Sequence, residues 1–184
     1  MTSIFQSGLT VLLLVSLLVL PGCGKTPVAG NSAEESQHSQ QTEQEITAAV
    51  ETFLNAVRAG NDAEVFNMFS PKAREVCGPD HLPGIPASDT AEFRIEDVHL
   101  VNDHEAQVKT TMIDLDENRQ KVEEPIAWAL RKTEEGWRIV GTAFVFVEGM
   151  EPVVVNFESR EAIALAEAQV EAQARRQEWN TATE

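Results

Sequence analysis

The chain reads as an α+β domain in which N-terminal helices pack on a curved, cone-like antiparallel sheet, with an extra C-terminal strand and helix. Three observations predict this. Apolar residues recur at helical spacing up to about residue 76, with capping residues and a proline between the runs. From Glu92 onward the pattern becomes period-two alternation cut by short turn clusters. Within the first of these strands the apolar phase changes sides, which a regular strand does not permit.

The first helix is predicted to begin near Thr42, where Thr42 and Glu45 have the spacing of a capping box. Ile46, Val50, Phe53, Leu54 and Val57 then share one face, and Gly60 ends the helix. Asn61 or Asp62 can cap a short second helix carrying Val65, Phe66, Met68 and Phe69. Ser70-Pro71 supplies an N-cap and a proline at the first helical position, starting a third helix that runs to about Val76. Residues 78 to 90 hold several prolines and glycines and read as loop.

Strands are expected over Glu92–Val101, His104–Asp114, Glu124–Lys132 and Trp137–Val147, with turns at Asn102-Asp103, Asp116-Glu117-Asn118 and Glu134-Glu135-Gly136. Ala106, Val108, Thr110 and Met112 fall on one face of the second, and Ile126, Trp128 and Leu130 on one face of the third. In the first strand Phe93 and Ile95 take one phase while Val98 and Leu100 take the other. A bulge near Glu96-Asp97 reconciles them and bends the strand. Val153 to Phe157 is a further strand, and a final helix from about Arg160 to Gln177 carries a modest stripe of Ile163, Ala166 and Val170.

Composition bounds the function. The chain has 184 residues, room for one domain with tails; 42% are hydrophobic, enough to bury a core. Lys and Arg number 14 against 30 Asp and Glu, a net charge of −16 that repels phosphate backbones, so nucleic acid is not an expected partner. Two cysteines make neither a disulfide scaffold nor a Cys-rich zinc site.

Residues 9 to 20 are apolar except for Thr10 and Ser16. As a helix this run spans roughly 18 Å, short of the roughly 30 Å hydrocarbon core, and suits a signal-peptide core better than a permanent span. The Leu20-Pro21-Gly22-Cys23 that follows resembles the lipobox of bacterial lipoproteins. That resemblance implies a signal peptide over residues 1–22 and a diacylglycerol on Cys23. Residues 23–42, polar and rich in Ser, Gln and Glu, would then be a flexible tether from a bacterial envelope membrane, facing the periplasm or the exterior. The same run also allows an uncleaved N-terminal anchor. The expected organisation is completed by a cone-like domain over residues 43–147 and an extension over 148–184.

Two pieces of the domain, Phe53-Leu54-Asn55-Ala56-Val57-Arg58-Ala59-Gly60-Asn61 with Met68-Phe69-Ser70, and Trp128-Ala129-Leu130-Arg131-Lys132 with Gly136-Trp137-Arg138-Ile139-Val140, resemble the nuclear transport factor 2-like superfamily, the ketosteroid isomerase-like cone. The resemblance implies a cavity between helix and sheet. Enzymes of that superfamily line it with acid–base groups, and ketosteroid isomerases pair an Asp base with a Tyr and a protonated Asp. This chain has no Tyr, so that arrangement does not carry over.

Asp97 and His99, at i and i+2, form an acid–base pair if they face the cavity; if the bulge turns that face outward they are solvated, the default for polar residues. Phe93, Met112 and Trp128 are the candidate pocket-lining residues. An open apolar pocket between them favours a small apolar ligand, and a pocket they fill favours a purely structural module or docking of another envelope protein. Converging Asp97 and His99 would favour an isomerase, dehydratase or hydrolase. Cys77 and His81 have a Cys-x3-His spacing, but zinc needs two further ligands, with His99 and His104 the remaining histidines of the folded part. Loop proximity explains the spacing better, so no metal or other cofactor is expected. Cys77 reads as a small buried hydrophobe.

Overall fold

The computed structural model describes residues 31–78, 90–116 and 118–182. The apolar run, Cys23 and His81 lie outside the described residues. Three helices, α1 (Asn31–Arg58), α2 (Asp62–Met68) and α3 (Pro71–Cys77), precede five strands. These are β1 (Glu92–Asn102), β2 (Glu105–Leu115), β3 (Lys121–Thr133), β4 (Gly136–Phe144) and β5 (Val153–Asn156); α4 (Arg160–Ala182) closes the chain. The strands form one antiparallel sheet in the order β1-β2-β3-β4-β5, so each pairs with its neighbour in sequence.

The buried face of α1 is Thr42, Ile46, Val50, Phe53, Leu54 and Val57, the stripe that helical spacing predicts, with a threonine added at its N-terminal end. The helix begins at Asn31, eleven residues before the expected start. Thr42 is 7% exposed inside the helix and does not cap it, and Glu45 accepts instead from the Gln41 side chain at 3.4 Å. Residues 31 to 42 contain neither Gly nor Pro and are mostly Gln, Glu, Ser and Ala. A helix already anchored by packing extends through such residues at little cost.

The short helices follow their caps. Asn61 accepts from the Glu64 backbone N–H and starts α2, and Ser70 accepts from the Ala73 N–H and starts α3 with Pro71 in the first turn. Between them Phe69 lies beside Ile139 of β4, and the Ser70 N–H donates to the Ile139 carbonyl at 3.0 Å.

The expected bulge is present. The β1–β2 register shifts between Ile95 and Asp97, leaving Glu96 as the extra residue. Phe93, Ile95, Val98 and Leu100 are accordingly all half-buried against the core, while Arg94, Glu96, Asp97 and His99 are exposed. The β1–β2 register shifts again between Leu100 and Asn102, and a third shift at Ala129/Leu130 adds curvature between β3 and β4. Two strand ends differ from the sequence reading. β3 starts three residues earlier, at Lys121, because Lys121 to Glu123 pair with Leu115 to Ile113 despite being exposed. β4 stops at Phe144, where β5 begins at Val153 and the β3–β4 pairing ends at Ile126, although β3 itself continues to Lys121 against β2.

The core lies between α1 and the inner face of the sheet. Phe53 of α1 meets Trp128 of β3 edge-on at 4.9 Å between ring centroids and Phe69 at 6.1 Å; Phe69 meets Phe157 at 5.0 Å. All four are at most 1% exposed. Val153, Val155, Phe157 and Ala166 belong to the same core cluster, so β5 and α4 pack into the domain, with Ile163 and Val170 beside them as the α4 stripe predicts. Gly141 lets β5 approach, since a Cβ there would lie 2.6 Å from the Val155 carbonyl oxygen.

Two substitutions test this packing. Phe53→Ala removes a ring shared by α1, β3 and the α2–α3 junction, and is expected to cost about 3–5 kcal/mol in denaturant titration. Gly141→Ala forces a side chain against β5 backbone and is expected to cost about 1–3 kcal/mol, with faster hydrogen exchange confined to β5 and the start of α4.

Candidate functional site

The cone interior is occupied where the resemblance implies a cavity. The Trp128 ring fills it, 1% exposed, and its Nε1–H donates to Thr110 Oγ1 at 3.0 Å, which in turn donates to the Ile126 carbonyl at 3.2 Å. The indole therefore has its one polar atom satisfied inside the core and is held in a single orientation. Of the three candidate lining residues, Trp128 is core, Met112 is half-buried on β2 opposite Phe93, and Phe93 alone borders open space.

That open space is a cleft of about 710 Å³ between α1 and β1. One wall is the α1 face Glu43, Thr47, Glu51, Leu54, Asn55 and Arg58; the other is residues 93 to 98 of β1. Leu54, Phe93, Ile95 and Val98 form its floor, and the rim carries four carboxylates, Glu43, Glu51, Glu96 and Asp97, against the guanidinium groups of Arg58 and Arg94. Arg94 is already engaged, its Nε donating to Glu96 Oε1 at 2.6 Å and its Nη2 lying 3.7 Å from Glu123 Oε2. The hydrogen bond from Arg94, reinforced by one from Thr111 Oγ1 at 2.9 Å, holds the Glu96 carboxyl below its ordinary range.

Asp97 and His99 are both exposed, on the phase of β1 that points away from the core. Their Cα partners across the ladder are Lys109 and Gln107. Asp97 reaches the rim of the cleft and His99 is not among the residues lining it, so the two do not converge on an enclosed space. Cys77 is buried, with Sγ 3.6 Å from the Phe157 carbonyl oxygen, and burial pushes its pKa up, keeping the thiol protonated and unreactive at neutral pH.

The sequence reading missed one polar constellation. Ser70 Oγ donates to Glu158 Oε1 at 2.7 Å; Arg131 Nη1 lies 2.5 Å from Glu158 Oε2, and Arg131 Nη2 lies 3.3 Å from Glu105 Oε1. A serine hydroxyl on a carboxylate is the start of a nucleophile arrangement. Here the Ser70 oxygen already accepts from Ala73 N–H at 3.1 Å, and the residue is 2% exposed, so no substrate reaches it. The group is a structural clamp. Ser70 and Glu158 are 88 residues apart, and no local spacing signals their meeting.

Neither a family model nor a curated protein matches the chain. Among solved structures, a ketosteroid isomerase-like protein from Erwinia carotovora atroseptica is similar at 15% identity and a TM-score of 0.37, covering 53% of this chain and 89% of that one. The association domain of C. elegans CaMKII is similar at 18% identity and a TM-score of 0.40, covering 60% and 95%. The chain's own element order, helices and then a five-stranded antiparallel sheet bent at Glu96, is the α+β architecture the sequence predicts.

The electrostatics of the rim are directly measurable. The Glu96 carboxyl should titrate below an ordinary glutamate by NMR, and Arg94→Met should return it towards the ordinary glutamate range. The sign follows: a depressed native pKa contributes stability above the unfolded value, and that contribution is lost as pH falls through the native one.

Proposed function

We propose that the chain is a lipid-anchored, non-catalytic protein of the bacterial cell envelope whose cone-like domain docks another envelope protein rather than holding a small apolar ligand. The observation that carries the docking part is the filled interior. Trp128, Phe53, Phe69 and Phe157 occupy the space a ligand would need, and the remaining cleft is rimmed by charge. A small apolar ligand prefers an enclosed, largely apolar pocket with few polar groups, and the α1–β1 cleft has the opposite character. The separation of Asp97 and His99 from any enclosed space supports a non-catalytic role. The anchoring part is supported by the apolar run over residues 9 to 20 and the Leu20-Pro21-Gly22-Cys23 sequence. Thioether-linked diacylglycerol supplies two acyl chains, enough for stable attachment where one is marginal.

Two measurements on membrane-extracted protein test the reading. Intact mass spectrometry should show loss of residues 1–22 and added acyl mass on Cys23; an unprocessed Met1 terminus with a bare thiol would overturn the anchor. Titration with an apolar naphthalene dye should give no saturable binding to the native domain, and one-to-one uptake would overturn the docking part in favour of a ligand carrier.

A further inference from the structure

β1 is one edge of the sheet. Alternate residues of an edge strand direct backbone N–H and C=O groups away from the ladder, where an incoming strand can pair with them. The α1–β1 cleft opens along this edge. Residues 93 to 98 border it in unbroken succession, taking in both phases of the pleat, whereas a cleft on a sheet face would meet alternate residues only. Its other wall is a single helix face, since Glu43, Thr47, Glu51, Leu54 and Arg58 recur every three or four residues. Among the described residues no strand pairs with β1 on this side, and a helix running beside such an edge is the geometry in which an extended peptide adds to a sheet. Six residues of edge offer a track of about 20 Å. The opposite edge is unlike it: β5 is four residues long and α4 packs against it, with Gln169 and Gln173 donating to the carbonyls of Pro152 and Glu151.

Charge identifies the occupant. Each wall of the cleft carries two carboxylates and one guanidinium group, and Arg94 is held by Glu96. Glu43 and Glu51, one helical turn either side of Thr47, have no ion-pair partner among the described residues. A second copy of a chain with net charge −16 is a poor fit to this rim. We propose that the β1 edge accepts an extended, basic segment of a partner protein as a sixth strand, its backbone on β1 and its Lys or Arg side chains against Glu43 and Glu51. The bulge at Glu96 interrupts the regular spacing of the edge, so the incoming segment must step across it, and indiscriminate strand pairing is disfavoured. This rests on the docking reading above and names the site and the chemistry of the partner.

The test uses the full chain and capped hexapeptides observed by NMR. The probe is acetyl-(Lys-Thr)3-amide. Controls are its Glu-Thr counterpart and two Lys-Thr peptides N-methylated on one or the other set of alternate amides. The Lys-Thr probe is expected to shift the amide resonances of residues 93–98 and of α1 from Glu43 to Arg58, and to slow hydrogen exchange along β1. The Glu-Thr peptide should not bind. One N-methylated peptide should bind at least about tenfold more weakly than the other, because only one set of amides faces the strand. The double substitution Glu43→Lys/Glu51→Lys, on exposed helix positions, should weaken the probe by about tenfold or more. No binding, shifts that map elsewhere, or equal binding by both N-methylated peptides would overturn the proposal. Such a failure leaves the docking reading standing if the interior still takes up no apolar dye; saturable dye uptake is the separate result that sinks that reading.

Discussion

Everything in this fold hangs on covering one concave sheet face with aromatic rings. A five-stranded antiparallel sheet that bends at Glu96 and again near Leu130 presents a concave inner surface to α1. Phe53, Trp128, Phe69 and Phe157 fill it from four different segments, α1, β3, the α2–α3 junction and the residue after β5. Because each ring touches the next, the position of α1, the seating of the short helices and the docking of the C-terminal strand are coupled through one cluster. The hydrogen bond from Trp128 to Thr110 gives that cluster a unique arrangement, since a flipped indole would leave a buried donor unpaired.

A polar clamp works alongside the rings. Glu158 is 9% exposed and is held by Ser70 at the start of α3 and by Arg131 of β3, whose other nitrogen reaches Glu105 of β2. A buried carboxylate is tolerated only when its oxygens are paired, and here both are. The clamp joins the C-terminal segment to the helices at the place where Phe157 enters the core. Ser70 therefore does two jobs with one hydroxyl, accepting from Ala73 to start α3 and donating to Glu158 to fix where α3 sits. Gly141 completes the junction by letting the β5 backbone come close to β4.

What was legible in the sequence was local. The change of phase from Phe93 and Ile95 to Val98 and Leu100 located the bulge to within a residue, because period two leaves no other solution. Asn61 and Ser70 marked the starts of α2 and α3 through chemistry that acts within three residues. The start of α1 was not legible, since a capping signature inside a run of helix-compatible residues does not oblige the helix to stop. The start of β3 was set by its pairing with β2 and the end of β4 by the start of β5, which hydropathy does not record: Lys121, Glu123 and Glu124 are polar yet paired, while Val145 and Phe146 are apolar yet exposed. Of the site candidates, Phe93, Asp97 and His99 lie on the first strand and Met112 on the second, as the alternation predicts, but whether Trp128 lined a pocket or filled it depended on Phe53 and Thr110, residues far apart in sequence.

A filled cone redistributes where such a domain can act. A curved sheet offers an inside, an outside and two edges. The inside is occupied by aromatic rings, and one edge is short and packed by α4. The β1 edge is long, bordered by a groove, and rimmed by acids that keep it solvated when empty. Acids at an edge serve two ends at once. They discourage pairing between copies of an acidic chain, and their field draws in a basic segment before any backbone hydrogen bond forms. In the proposed complex the same carboxylates that protect the edge from an acidic strand would select a basic one, which supplies the positive charge that this chain, with 30 acids to 14 bases, largely lacks.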